Sequence, residues 1–489
     1  MVTTLTIKDT VWAYAEGIET ETISDLLRFK PKGYTFAPSY NTCRCGSQRE
    51  DHHRISHEFQ GRWDGWIKLT RLTSNGLRFP AGLVPYVLEQ PWANNIKVTD
   101  NRVAPNLLAA RSLYSNTPLV ALDAHQEQAV QLAIAARQGI IQYPTGTGKG
   151  RIIGEVIRRL NLKALVICDK LDLLKQLRHE VEQATGQRSG VIGGGQVMLA
   201  DVVVSTYQSL IRVLDDPDRY VLATALREFP LVIVDEGHHA EAKSLSEVLQ
   251  HIPAFYRLGF SATAFKSYRG KAEGRGTFLR VQSFLGPPID SMTVSAGIDT
   301  GRIVPPDIFI VHGCEETSTP TPINYKEEYH SRIINNQMRN RAIIRLVGRL
   351  QPSQTVVLVQ RIAHGDLLSS ATGFVFIDGS MNPNLRADFY DKFKRGEVKG
   401  LIIGKVGDEA LDLPNIEVLI LAGGGDAPHI QIQRVGRGLR ASAGKERVMV
   451  FDFEDYGKYI SKHYKRRRRT YDHEAAYTVI DIEQEELLG

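Results

Sequence analysis

Cysteine is scarce in this chain: four in 489 residues, at positions 43, 45, 168 and 314, too few and too unevenly placed for a disulfide framework. No stretch approaches the roughly 18 apolar residues of a membrane span. The opening MVTTLTIKDT lacks the basic-then-apolar pattern of a secretory leader, so the reading is a cytoplasmic protein with no membrane partner. A strong charge excess is missing too. The net charge of +5 leaves any polyanion-binding surface to local clustering. What remains, 42% hydrophobic and 24% charged residues, is ordinary for a soluble globular protein, and the length asks for two to four domains.

The stretch GIIQYPTGTGKGRIIGEV (139–156) organises the rest. A short apolar run meets a Gly/Thr turn, then Lys149, then apolar residues at helical spacing, which together spell strand, phosphate-cradling loop and helix. Gly146 and Gly148 permit backbone angles that turn successive N–H groups inward, and Lys149 supplies a point charge for the β- and γ-phosphates. The position after the lysine ordinarily carries a Ser or Thr hydroxyl for Mg²⁺, but here it is Gly150. Mg²⁺ keeps several waters, so a water can serve in place of that ligand.

Ahead of this stretch, residues 1–115 show short mixed α+β patterning. GRWDGWIKL (61–69) and LRFPAGLVPYV (77–87) read as two strands of a small sheet. Arg62, Trp63, Trp66 and Lys68 put aromatic faces beside positive charge, a composition suited to nucleic acid, with a core or turn role for both tryptophans as the equal alternative. Cys43, Cys45, His52, His53 and His57 are metal-ligand types packed into fifteen residues, and His53 and His57 share a helix face. Paired zinc cysteines usually have two to four residues between them and this pair has one, so Zn²⁺ stands beside a plain polar loop as a reading.

From about 116 the pattern becomes alternating strand and helix. The runs 163–169, 200–206, 230–239 and 256–263 are apolar, β-rich and end in polar residues, as expected where parallel strands gather ligands at their carboxyl ends. In PLVIVDEGHH, Asp235 is suited to hold Mg²⁺ and Glu236 to orient and deprotonate an attacking water. Residues 301–330, with their prolines, read as a linker. A second α/β segment, 331–460, has strand-like runs at 355–360, 372–380, 399–405, 417–424 and 446–453 but no phosphate loop of its own. In HIQIQRVGRGLR, Gln433, Arg437 and Arg440 share one helical face, and the two guanidiniums fit arginine fingers for a γ-phosphate. Residues 461–489 read as a basic then acidic tail, with six Lys/Arg in SKHYKRRRRTY open to DNA-backbone contact.

With these motifs in order from about 115 to 455, the chain resembles the superfamily 2 helicases, and among them the UvsW-type branch-migrating helicases of phages. The matching stretches are Gln126, PTGTGKG (144–150), DKLDLLKQ (169–176), VVSTYQS (203–209), DEGH (235–238), SAT (261–263), GDEALDLP (407–414) and QRVGRGLR (433–440). The resemblance implies two RecA-like parallel-sheet domains, 116–300 and 331–460, behind a small α+β DNA-binding accessory domain. It implies ATP and Mg²⁺ as cofactors, bound through Gln126, Thr145, Gly146, Thr147, Gly148, Lys149 and Gly150 with Asp235 on the metal. His238 and Gln433 would couple the domains, Ser261 and Thr263 would link hydrolysis to DNA movement, and Arg437 and Arg440 would be the fingers. Lys170, Thr206 and Asp412 would line the nucleic-acid track. The expected function is an ATP-dependent motor, working as a monomer on forks and junctions, in a host cytoplasm if phage-encoded. An RNA remodeller, and a nucleic-acid binder with its ATPase impaired by Gly150, are the alternatives.

Overall fold

In the computed structural model the described residues are 3–17, 19–30, 66–74, 76–105, 113–114, 118–237, 240, 243–262, 275–315, 324–351, 353–404, 413, 415–424 and 445–488. They form two compact units: Met1–Gln142 with Lys149–Ser291, and Tyr143–Gly148 with Met292–Gly489. No described helix is long and apolar enough to cross a membrane.

The first unit holds two large sheets and a two-stranded antiparallel ladder of Arg28–Phe29 with Ile67–Lys68. Strands β1 (Thr4–Ile7), β2 (Trp12–Glu16), β3 (Arg71–Thr73), β4 (Gly76–Pro80) and β5 (Lys97–Asp100) make the smaller one, in the order β3-β4-β2-β1-β5. Alternation decides its faces. Leu5, Ile7, Ala13, Ala15, Leu77 and Phe79 point into one core, while Trp12, Tyr14 and Arg78 lie on the other face, with Arg78 4.3 Å above the Trp12 ring. The strand expected to run from 77 to 87 stops at Pro80, and a tight turn and the short helix Val84–Leu88 follow, since proline brings no N–H to continue a ladder. This accessory sheet docks on a later helix, Arg275–Leu285. Arg275 donates to the Leu26 carbonyl at 2.7 Å, and Tyr86 meets Phe278 edge-to-face at 5.4 Å.

The larger sheet of this unit contains β6 (Gln138–Gln142), β7 (Ala164–Cys168), β8 (Gly190–Gly193), β9 (Gln196–Met198), β10 (Val202–Thr206), β11 (Leu231–Asp235), β12 (Tyr256–Ser261) and β13 (Pro288–Ser291). Their order is β9-β8-β10-β7-β11-β12-β6-β13, parallel except for the β8–β9 hairpin. β7 and β10 are buried at every residue because helices cover both faces, which is why β7 is apolar throughout and β10 is apolar up to its closing Ser205 and Thr206. Arg257 is buried inside β12. Its guanidinium donates to the carbonyls of Leu249, Ile252 and Phe284, tying two helix ends to the sheet.

The second unit is one parallel sheet of β14 (Pro306–His312), β15 (Thr355–Leu358), β16 (Val375–Ile377), β17 (Gly400–Ile403), β18 (Val418–Ile420), β19 (Val448–Phe453) and β20 (Thr478–Glu483), ordered β16-β17-β15-β18-β19-β14-β20. Two expectations change here. The stretch 301–330 is not simply a linker, because β14 lies inside the sheet between β19 and β20. Residues 461–489 are not a tail, because helix Ile460–His473 packs on the sheet and β20 pairs with β14.

That helix is held by charge as well as by Tyr464 and Tyr471. Arg467, 1% exposed, reaches Asp452 at 2.8 Å and Asp455 at 2.9 Å; Arg339 meets Asp455 at 2.9 Å from the opposite side, and Tyr471 donates to Asp452 at 3.0 Å. Arg468 pairs with Asp472 and Asp481. Of the six expected DNA-facing cations, two are therefore spent inside the unit, and Lys462, Lys465, Arg466 and Arg469 form the exposed stripe. Arg467→Ala would leave Asp452 uncompensated in the interior and is expected to cost about 3–5 kcal/mol in denaturant unfolding, against about 0.5 kcal/mol or less for Lys465→Ala.

His312 pins β20 as well, through Glu454 at 2.6 Å and Asp481 at 2.7 Å. Burial alone would lower its pKa, but the hydrogen bonds to Asp481 and Glu454 outweigh that and raise it. A raised histidine stabilises fully below its ordinary value and loses that contribution as pH climbs through the folded one. Between about pH 6 and about pH 9 the wild-type Tm should therefore fall further than that of His312→Gln.

Candidate nucleotide site and nucleic-acid surfaces

Register brings the first unit's chemistry to one edge. Ser261 at the end of β12 stands opposite Gln142 at the end of β6, and Phe260 opposite Asp235 at the end of β11, so three strands release their polar ends side by side. From β6 the chain enters the glycine loop. Gly146 and Gly148 hold φ of 95° and 81°, left-handed values that side chains resist, and the buried Thr147 hydroxyl donates to the Pro144 carbonyl at 2.8 Å. Thr145 sits in the same turn. Helix α2 (Lys149–Leu160) then begins with the lysine itself, setting a cation at the positive end of its own helix beside that turn. Helix α1 (Ala124–Ala136) precedes the loop, with Gln126 buried at its start; the Gln126 side chain accepts from the Asp123 N–H at 3.1 Å in a capping box.

Burial first, and repulsion from Glu236 second, lift the Asp235 carboxyl well above the usual range, while Lys149 pulls it back down. Glu236 adopts φ 51°, a left-handed conformation in a residue other than glycine. Such backbone costs on the order of 1–3 kcal/mol and persists only where its surroundings impose it. Cys168, at the end of β7, is buried as expected, and burial with repulsion from Asp235 pushes its thiol up, so it is no nucleophile. Ser261 is buried at its strand end, whereas Thr263 and His238 lie outside the described residues.

The donor set suits a hard cation. Asp235 offers carboxylate oxygen, and no group of three or more His, Cys, Asp or Glu side chains among the described residues forms a cage by itself. That fits Mg²⁺, which takes one or two protein carboxylates beside phosphate oxygens and water. The empty place is filled in an unexpected way: a side chain at Gly150 would collide with Glu180 of helix α3 (Leu171–Thr185), whose Oε2 lies 1.2 Å from where its Cβ would stand. Reading along the chain missed Glu180, although Gly150 and Gly154, four apart on one face of α2, signal a helix passing unusually close.

The expected nucleic-acid residues fare unevenly. Thr206 is buried and its hydroxyl is bonded to Ser209 at 2.9 Å, so the side chain is turned inward. Lys170 is the residue just before α3 and makes no side-chain capping bond there. Arg62, Trp63, Asp412, Gln433, Arg437 and Arg440 fall outside the described residues, as do Cys43, Cys45, His53 and His57, and zinc gains no support among the described residues. Trp66 does have basic company, with Arg28 and Lys30 at 4.6 and 4.9 Å from its ring. A feature the sequence did not announce is a cavity of about 630 Å³ in the second unit. It opens at the carboxyl ends of β15, β16 and β17, lined by Lys326, Gln360, Arg361, Phe376, Asp378 and Ser380.

Comparison with known proteins agrees with this layout. The family model described as "Type III restriction enzyme, res subunit" matches residues 119–266, and "Helicase conserved C-terminal domain" matches 338–442. A putative DNA 3'-5' helicase Rad25 of Halobacterium salinarum is 26% identical over 73% of this chain and 59% of its own length. The ATP-dependent DNA helicase uvsW of Enterobacteria phage T4 is 23% identical over 88% of this chain and 86% of its own. Among solved structures, S. cerevisiae Dbp5 bound to RNA and ADP BeF3 superposes with a TM-score of 0.51 at 15% identity, covering 74% of this chain and 90% of that one, a likeness of fold. The chain thus spans a little over half the length of the halobacterial relative. One model falls on the sheet that carries the phosphate loop, the other on the sheet that lacks one, in the order the motifs require: the chain belongs to the superfamily 2 helicases.

Proposed function

We propose that this protein is an ATP-driven DNA translocase or helicase acting on forked and junction DNA. The observation that carries the reading is the meeting of Lys149, Asp235 and the left-handed Glu236 at one edge of a parallel sheet behind a glycine loop. Backbone N–H groups of the loop and Lys149 bind the triphosphate. Asp235 holds Mg²⁺, which when bound neutralises phosphate charge. Glu236 orients water and takes its proton, and its constrained backbone fixes the carboxylate for that task. Gln433, Arg437, Arg440 and His238 keep the phosphate-sensing and coupling roles implied by the resemblance, and Ser261 with Thr263 the link to movement.

DNA is favoured over RNA by the relatives, a putative DNA 3'-5' helicase and an ATP-dependent DNA helicase. The gripping surfaces are the cavity at the carboxyl ends of β15–β17, the aromatic and basic residues of the accessory sheet, and the stripe of Lys462, Lys465, Arg466 and Arg469. Backbone contacts of this kind are blind to sequence, which suits recognition of branched shape. The protein would work as a monomer in the cytoplasm that holds its DNA.

ATPase stimulation measured across single-stranded, duplex, forked and four-way DNA and matched RNAs tests this. Branched DNA should stimulate most; RNA outpacing every DNA would move the protein to the remodeller alternative. Lys149→Ala should lower DNA-stimulated turnover by about 10²–10³-fold. Glu236→Gln should keep ATP binding while turnover drops by roughly 10²–10⁴-fold, and undiminished turnover would remove Glu236 from the role of base. Arg469→Ala should weaken binding evenly across DNA sequences and reduce the salt slope by about one.

A further inference from the structure

Gly150 is a glycine for reasons of space. Its φ lies outside the left-handed range, so its backbone does not require glycine, and in a helix glycine costs about 1 kcal/mol relative to alanine. The space is taken by Glu180. Oε2 of that carboxylate lies 1.2 Å, and Cδ 2.4 Å, from the position of a Cβ at 150. A serine or threonine hydroxyl oxygen would stand one carbon–oxygen bond from that same Cβ. The Glu180 oxygen therefore lies about where an oxygen bonded to the side chain of residue 150 could be.

Two features keep it there. Gln176, one turn earlier on α3, donates to Oε1 at 2.8 Å and fixes the rotation of the carboxyl group. One turn further along, Gly154 of α2 packs against Ala184 of α3, with 2.5 Å between the Ala184 Cβ and a Cβ built at 154. The row Gly150/Gly154 on one helix thus receives the row Glu180/Ala184 on the other, a ridge-into-groove contact that only small residues on α2 allow.

We propose that Glu180 replaces the missing phosphate-loop hydroxyl, so that its Oε2 gives the divalent cation bound with ATP the oxygen contact that the residue after Lys149 ordinarily gives. The contact is either direct or through one coordinated water. This assignment rests on the nucleotide site described above. It also makes Gly150 a compensated departure rather than a lesion: the ligand has moved from the loop to the neighbouring helix.

The test uses the full chain and two readouts that do not need turnover: affinity for a fluorescent non-hydrolysable ATP analogue, with Mg²⁺ and with chelator, and Mn²⁺ binding followed by electron paramagnetic resonance. Glu180→Ala and the isosteric Glu180→Gln should each lose about 10-fold in metal-dependent affinity while affinity in chelator stays at the wild-type level. Gly150→Ser alone should impair the site because the new side chain meets the carboxylate, whereas Gly150→Ser combined with Glu180→Ala should recover most of the metal dependence. Wild-type Mn²⁺ binding in a folded Glu180→Gln protein would reduce Glu180 to a packing residue and overturn the assignment. So would tighter nucleotide binding in Glu180→Ala, which would mark the carboxylate as a competitor of phosphate. A wild-type protein that binds the analogue equally with and without Mg²⁺ would instead sink the metal role of the site, and the assignment with it.

Discussion

Parallel strand direction is the constraint on which everything else turns. When neighbouring strands run the same way, all their carboxyl ends emerge at one edge, and residues remote in sequence become neighbours without any loop having to find them. Gln142, Asp235 and Ser261 are brought together in this manner, with Lys149 delivered to the same edge by the turn that leaves β6. The buried strands behind them are featureless by comparison. Their task is to fix position, and the fully buried β7 and β10 do so by filling both faces of the sheet with mostly apolar side chains.

That logic explains why so much could be read along the chain. A strand covered on both sides must be an apolar run, and the runs beginning near 163, 200, 230 and 256 became β7, β10, β11 and β12. The second unit yielded five of its seven strands in the same way. The other two did not announce themselves: β14 sits among prolines, and β20, TVIDIE, at the sheet's edge, is half-exposed and acidic. An edge strand need bury only one face, so its signal is alternation over a few residues, easily lost in a charged context. The basic helix misled for a related reason. Charge in a sequence looks solvated, and nothing local tells that Arg467 will find Asp452 and Asp455 in the interior.

The nucleotide site shows the same boundary between legible and illegible. Loop glycines, lysine and adjacent acids form a local word, with Lys149 opening α2 and Asp235 closing β11. Gly150 was visible as a missing ligand, yet Glu180, thirty residues away, carries no mark of its own. Only the packing of two helices joins them. A motif departure is thus half of a statement whose other half is tertiary.

The position of β14 carries a consequence for how the molecule is made. This strand is the first of its sheet to leave the ribosome, yet both of its partners come late: His312 waits for Asp481 across 169 residues. Until then its ladder groups and apolar side chains have no native cover. Completion of the carboxyl-terminal sheet must accordingly wait for the end of synthesis, while the strands of the first unit's large sheet are all made before it.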